Sequence, residues 1–271
     1  MILSIDIGLK NLAFCIMDCG SDTQDMSCYA IHLWDTYNTL QEEEHKCKGL
    51  LKNGRGVCNK KTSLQYVDSD GGRHYTCKTH FPKDPSLRKI NYKEKAVKDY
   101  LLQDIARIVL QQVNQICENN MDLFVQLTQV IIELQPKINN KMKFVSHLIF
   151  GKFVELFPQV SVRFVRAAHK LKAYLGPDMS SECKLKGAYA QRKWLSIQHT
   201  SWFLKSAFSA HQHEQWMPFF NSSSKRDDLA DCFLMCINGL CGIPGSKKVT
   251  QPKAKQAKTR KRIVTSSSRK N

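Results

Sequence analysis

The chain has 271 residues, 42% of them hydrophobic, which suits one large domain or a domain with a small module and excludes a wholly disordered chain. Lys and Arg number 41 against 24 Asp and Glu, a net charge of +17 that points to a polyanionic partner, nucleic acid first. Residues 245–271 hold ten of these basic side chains and no acid, yet the remainder keeps 31 basic against 24 acidic, so the body is basic too.

Eleven cysteines, an odd count, argue against a disulfide scaffold. The opening MILSIDIGLK puts an acid inside its apolar run and does not read as a signal peptide. No stretch approaches the roughly 20 apolar residues that cross a bilayer. These features predict an intracellular, reducing location, cytoplasm or nucleus, and no membrane partner.

In chain order, Ile2, Leu3, Ile5 and Ile7 predict a buried strand turning at Gly8. Apolar runs at 12–17 and around 29–34 complete a three-stranded antiparallel meander. Residues 42–85 are rich in Gly, Lys and Cys and lack apolar periodicity, which marks an insertion with its own means of stabilisation. From 91 to 119 the spacing of Val97, Leu101, Ile105, Ile108 and Val109 predicts a helix. A short strand closed by proline follows at 129–136. A helix is expected at 144–157, a strand at 160–165, a basic amphipathic region at 170–205 and an apolar helix at 227–241. The low-complexity basic residues 245–271 read as a disordered tail. Strands and helices in this order predict an α/β domain built on a mixed sheet, formed by residues 1–41 and 86–244 and interrupted by the 42–85 module.

Three places put acids where a core is expected. Asp6 sits between Ile5 and Ile7, Glu133 sits in VIIEL, and Asp228 and Asp231 share one face of a packed helix. Burying charge costs several kcal/mol unless it is paired or binds a metal. Carboxylate oxygens suit Mg²⁺ or Mn²⁺, and two such ions about 3.5–4 Å apart can drive phosphodiester hydrolysis. Each acid alone also fits a turn, a helix cap or a lysine pair; the three together point to a metal-dependent nuclease. An Asp-x-Gly after a first strand also opens actin-like ATPases, but those need further Gly-rich phosphate loops, and none lies near Glu133 or Asp228.

The segments SIDIG at 4–8, IELQ at 132–135 and KRDDLADCFL at 225–234 resemble the acidic motifs of RuvC-type Holliday junction resolvases, especially those of poxviruses and other large eukaryotic DNA viruses. The last motif, K-x-D-D-x-A-D-x-F, is the most specific. The resemblance implies an RNase H-like mixed sheet flanked by helices, and catalytic metal ligands at Asp6, Glu133, Asp228 and Asp231. It favours Asp228 over the adjacent Asp227 by the three-residue spacing to the last acid. It also implies lysines near the scissile phosphate, with Lys170, Lys172, Lys186, Arg192 and Lys193 as substrate-binding candidates. The activity implied is symmetric, Mg²⁺-dependent cleavage of four-way junction DNA by a homodimer, in viral recombination or processing of replication intermediates. The 144–157 helix is a candidate interface. Nuclease action on flaps, forks or RNA–DNA hybrids, and non-catalytic DNA binding through a zinc module, remain alternatives.

Within the insertion, Cys47, Cys58, Cys77 and His80 form a candidate structural Zn²⁺ site, the last pair with C-x-x-H spacing. His45 and His74 are alternative ligands. So little apolar content needs such a staple to fold. Nine Lys or Arg against two Asp at 46–83 would let the module grip DNA phosphates. Cys232, Cys236 and Cys241 fall on an apolar helix and its end and read as core residues.

Overall fold

A computed structural model describes residues 1–40, 45–52, 56–93, 95–136 and 138–241. The expected basic tail at 245–271 lies outside the described residues. The chain is mixed α/β, with a five-stranded sheet covered by helices on both faces.

The sheet begins with β1 (Ile2–Ile7), β2 (Asn11–Asp18) and β3 (Ala30–Asn38), an antiparallel meander. The turn between β1 and β2 needs glycine, since a Cβ at Gly8 would lie 2.4 Å from the Asn11 carbonyl oxygen. Past the insertion come α1 (Leu102–Asn119), α2 (Met121–Phe124), β7 (Gln129–Leu134), α3 (Asn140–Leu156) and β8 (Ser161–Arg166). Strand β7 runs parallel to β1, and β8 parallel to β7, giving the order β3-β2-β1-β7-β8. Helices α4 (Ala188–Trp202), α5 (Ala210–Ser222) and α6 (Arg226–Leu240) complete the domain.

Strand periodicity divides the core in two. Leu3, Ile5 and Ile7 of β1, with Val130 and Ile132 of β7, pack against Ile105, Val109 and Val113 of α1 and Val145, Ile149 and Phe153 of α3. The opposite face, with Ile2, Ala13, Cys15 and Ile131, packs under α6 through Leu229, Phe233, Cys236 and Ile237. Cys232 and Cys236 are buried, while Cys241 is half-buried at the helix end. No helix among the described residues is long and apolar enough to cross a membrane.

The segment expected to be helical from residue 91 is helical only from Leu102. Ile90–Asn91 form β6, Val97–Asp99 make a 3-10 turn, and the helix starts at Leu102. Ile90 and Asn91 pair with Gln65 and Leu64, so their backbone groups serve a second sheet rather than a helix. That sheet, β5-β4-β6, joins β4 (Leu64–Val67) and β5 (Arg73–Thr76) to β6 and carries the insertion's pairing past residue 85. Helix α5 went unanticipated, although Ser209 caps it by accepting from the Gln212 amide. The basic region at 170–205 is helical only from Ala188; Ala167–Ala173 form a 3-10 segment.

Candidate active site and Cys/His cluster

Asp6 lies at the carboxyl end of β1 and Glu133 at that of β7, on parallel neighbours where Ile5 pairs with Ile132. Both occupy strand positions on the face covered by α6. Helix α6 is anchored there through its own carbonyls. The Ser4 hydroxyl donates to the Cys232 carbonyl at 2.5 Å, and the Trp34 indole donates to the Leu229 carbonyl at 2.9 Å. Asp231 lies between these two anchors and reaches the ends of β1 and β7.

One cation joins the three acids. The Lys170 ammonium sits 2.8 Å from Asp231 Oδ2, 3.0 Å from Glu133 Oε1 and 3.6 Å from Asp6 Oδ1. Its side chain is only 6% exposed. The preceding residue is held to α6, because the Asn238 amide donates to the His169 carbonyl at 2.9 Å. Lys170 is therefore drawn under the helix rather than displayed on a basic face. Lys172, Lys186 and Arg192 are exposed.

The electrostatics follow from crowding. Burial pushes the Asp6 carboxyl well above its ordinary value, against the pull of Lys170, and a hydrogen bond to Glu133 raises it further. Burial also works against the Glu133 charge, but the hydrogen bond from Asp6 and the nearby Lys170 bring it below the usual range. The two neighbouring carboxyls are thus driven in opposite directions, Asp6 upward and Glu133 downward. Burial opposes the Lys170 charge, yet Asp6, Asp231 and Glu133 more than offset this and hold its pKa above the ordinary value.

Asp227 and Asp228 open α6. Asp227 takes a hydrogen bond from the Lys193 ammonium, which outweighs burial and keeps its carboxyl low. Lys193 is thereby engaged by an acid and lies 5.2 Å from the Tyr189 ring centre. Asp228 is raised by burial, then by Asp227, with a further contribution from Asp231. Asp228 therefore senses the Asp231 charge, while the direct contacts to Lys170 come from Asp6, Glu133 and Asp231.

In the insertion the donor atoms of Cys47, Cys58, Cys77 and His80 all lie within 4.8 Å of one another. Cys47 and Cys77 Sγ are each 3.5 Å from His80 Nδ1, and Cys58 and Cys77 Sγ are 3.9 Å apart. A tetrahedron with zinc–sulfur bonds of about 2.3 Å has edges of about 3.8 Å, so the cluster is compatible with structural zinc. Two isolated antiparallel bridges, Lys46 with Lys61 and Leu50 with Val57, bring Cys47 and Cys58 together across the ten residues between them. A Cβ at Gly49 would lie 2.4 Å from His80 Cγ, so glycine lets the halves close. Burial raises the Cys77 thiol, but the His80 and Thr79 amides prevail and lower its pKa to about 6. Cys77 is then largely thiolate at neutral pH, the form that binds metal. The two alternative histidines are occupied elsewhere: His74 bonds Asp68 at 2.6 Å and His45 stacks on Tyr75.

No protein-family model and no curated protein sequence matches the chain. Among solved structures, RuvC of Thermus thermophilus overlaps 89% of this chain and 96% of its own at 10% identity and a TM-score of 0.38. A likeness that loose assigns neither fold nor activity.

Proposed function

We propose that this chain is a divalent-metal-dependent nuclease of RNase H-like architecture that cuts branched DNA, four-way junctions above all. The observation that carries the reading is the convergence of Asp6, Glu133 and Asp231, from three distant parts of the sequence, on one buried cation. The sheet order β3-β2-β1-β7-β8, with β2 alone antiparallel to its neighbours β1 and β3, agrees with that architecture.

The donor set fits Mg²⁺ or Mn²⁺: it consists of carboxylate oxygens, and it already surrounds a positive charge at 2.8–3.6 Å. Asp6, Glu133 and Asp231 would hold the metal, with Asp228 one turn earlier on α6 as the fourth ligand. When bound, such ions supply an activated water and charge neutralisation for phosphodiester hydrolysis. Asp6 and Glu133 orient the site from two rigid parallel strands. The Lys170 ammonium, retained in its charged form by the carboxylates, is a donor for a phosphate oxygen at the same spot. Exposed Lys172, Lys186 and Arg192 serve phosphates farther along the strand.

The Cys47, Cys58, Cys77 and His80 cluster is read as a structural Zn²⁺ site that folds the inserted module. A 740 Å³ cavity beside it, lined by Lys48, Arg73, His74 and Tyr75 among others, suits contact with DNA phosphates. Two cuts on opposing strands call for a two-fold homodimer, with the exposed Val154 and Leu156 of α3 at the interface.

The test compares a four-way junction with linear duplex, flap and RNA–DNA hybrid, in Mg²⁺ and Mn²⁺. Paired symmetric cuts in the junction are expected, with the other substrates cut poorly. Asp6→Asn and Asp231→Asn should bind the junction without cutting it. A wild-type protein that binds junctions and never nicks them would make this a DNA-binding protein only.

A further inference from the structure

A cleft of 480 Å³ opens between α4 and the start of α6. From α4 it is lined by Tyr189, Lys193, Trp194 and Ile197, which share one helical face, and from the other side by Ser223 and Arg226. Its volume is that of a small-ligand site. Tyr189 is 65% exposed, with the Lys193 ammonium 5.2 Å from its ring centre. Aromatic faces, hydroxyls and cations meet here. That is the chemistry of a nucleotide: rings stack on the base, hydroxyls reach its edge, cations meet the phosphate.

The cleft lies one helical turn along α6 from the carboxylate site. Asp227 forms part of its wall and precedes Asp231 by one helical turn, a rise of about 6 Å. Nucleotides advance by about 3.4 Å each along a duplex strand. A strand with a phosphate at Asp231 that runs along α6 toward its first turn would pass Asp227 about two nucleotides away. Inside a duplex each base is stacked between its neighbours and cannot offer its face to Tyr189 or Trp194; an unpaired base can.

We propose that this cleft binds an unpaired nucleobase of the DNA strand next to the carboxylate site. The proposal deepens the nuclease reading and rests on it for the direction in which the strand runs. It assigns the cleft to reading the branch point, where bases leave the duplex, and not to reading sequence, since every base has a face that can stack.

The experiment measures binding of the full chain by fluorescence anisotropy, in buffer without added Mg²⁺ or Mn²⁺ to prevent hydrolysis. Three DNAs are compared: a blunt duplex, the same duplex with a single-stranded tail, and that duplex with a tail of abasic sites. The tailed duplex should bind on the order of ten-fold more tightly than the blunt one. The abasic tail should lose that preference. Tyr189→Ala should lose it too while binding the blunt duplex like the wild type, and Tyr189→Phe should keep it. Circular dichroism checks that the exposed Tyr189 can be replaced without unfolding. Equal binding of tailed and blunt duplex, or a preference untouched by Tyr189→Ala and by abasic sites, overturns the proposal. Adding Mg²⁺ separates the two claims. Cleavage without a Tyr189-dependent preference overturns the base site alone; a Tyr189-dependent preference without any cleavage supports the base site and overturns the nuclease reading.

Discussion

Replacing Lys170 by Met keeps the length of the side chain and removes its charge. The ammonium contacts Asp231, Glu133 and Asp6 at 2.8, 3.0 and 3.6 Å, and the side chain is 6% exposed. Without the ammonium, the buried carboxylates that share it lose their counter-ion. Removing one partner from a buried ion pair costs about 3–5 kcal/mol. For a domain of this size each kcal/mol moves the melting temperature by about 2–4 °C, so Lys170→Met should melt about 6–20 °C lower at pH 7 without added Mg²⁺ or Mn²⁺. The sign with pH is fixed. Without the cation Asp6 and Glu133 both lose the pull of Lys170 that lowers their folded pKa values, so the deficit shrinks on acidification and grows toward neutrality. Mn²⁺ should restore much of the loss by replacing the missing charge. Differential scanning calorimetry at pH 5 and pH 7, with and without Mn²⁺, measures each of these. A variant as stable as the wild type at pH 7 without added Mg²⁺ or Mn²⁺ would refute the claim that Lys170 holds the three acids together.

Glu133→Gln should lower cleavage by at least about a hundred-fold with junction affinity little changed, read from single-turnover rates and gel shifts. Asp228→Asn should also lose cleavage, whereas Asp227→Asn should stay within about ten-fold of wild type, because the Asp227 charge is engaged by Lys193; the reverse ranking would exchange their roles. Cys77→Ser should cost the protein one tightly bound zinc by elemental analysis, and undiminished zinc would show the ligand set to be wrong. His199 is buried against Tyr174, and burial lowers its pKa from 6.5 to about 4. The unfolded chain takes up this proton below pH 6.5 and the folded chain only near pH 4, so stability falls across that window by up to about 3 kcal/mol. Urea melts should show that slope, and His199→Gln should flatten it.

Much of the sheet was legible because its signal is local. Alternation in 2–7 and the β-branched run at 129–134 mark strands whose neighbours are set by short turns or a parallel crossover. Helix α3 was readable from its apolar stripe. The beginning of α1 was not, since Val97 and Leu101 continue the helical spacing while the backbone around residue 90 is taken by β4, a partner distant in sequence. Helix α5 offered only a serine cap, and its aromatic residues pack on Trp34 of β3, a contact that no local period announces.

The acids stood out by themselves. A carboxylate in an apolar context is costly to bury, and so Asp6, Glu133 and the Asp228/Asp231 pair can be picked out from sequence together. Which cation meets them was decided only in three dimensions. Five basic side chains were equal candidates by sequence, and the 3-10 path of 167–173, tied to α6 through Asn238, carries Lys170 alone of them into all three carboxylates. The same holds for Cys47 and Cys58, whose long spacing is closed by two isolated bridges, and for the Tyr189 cleft, which exists only where α4 meets the first turn of α6. Composition and periodicity report what a residue costs to bury; convergence of side chains far apart in sequence depends on how elements pack, and packing is a property of the whole chain.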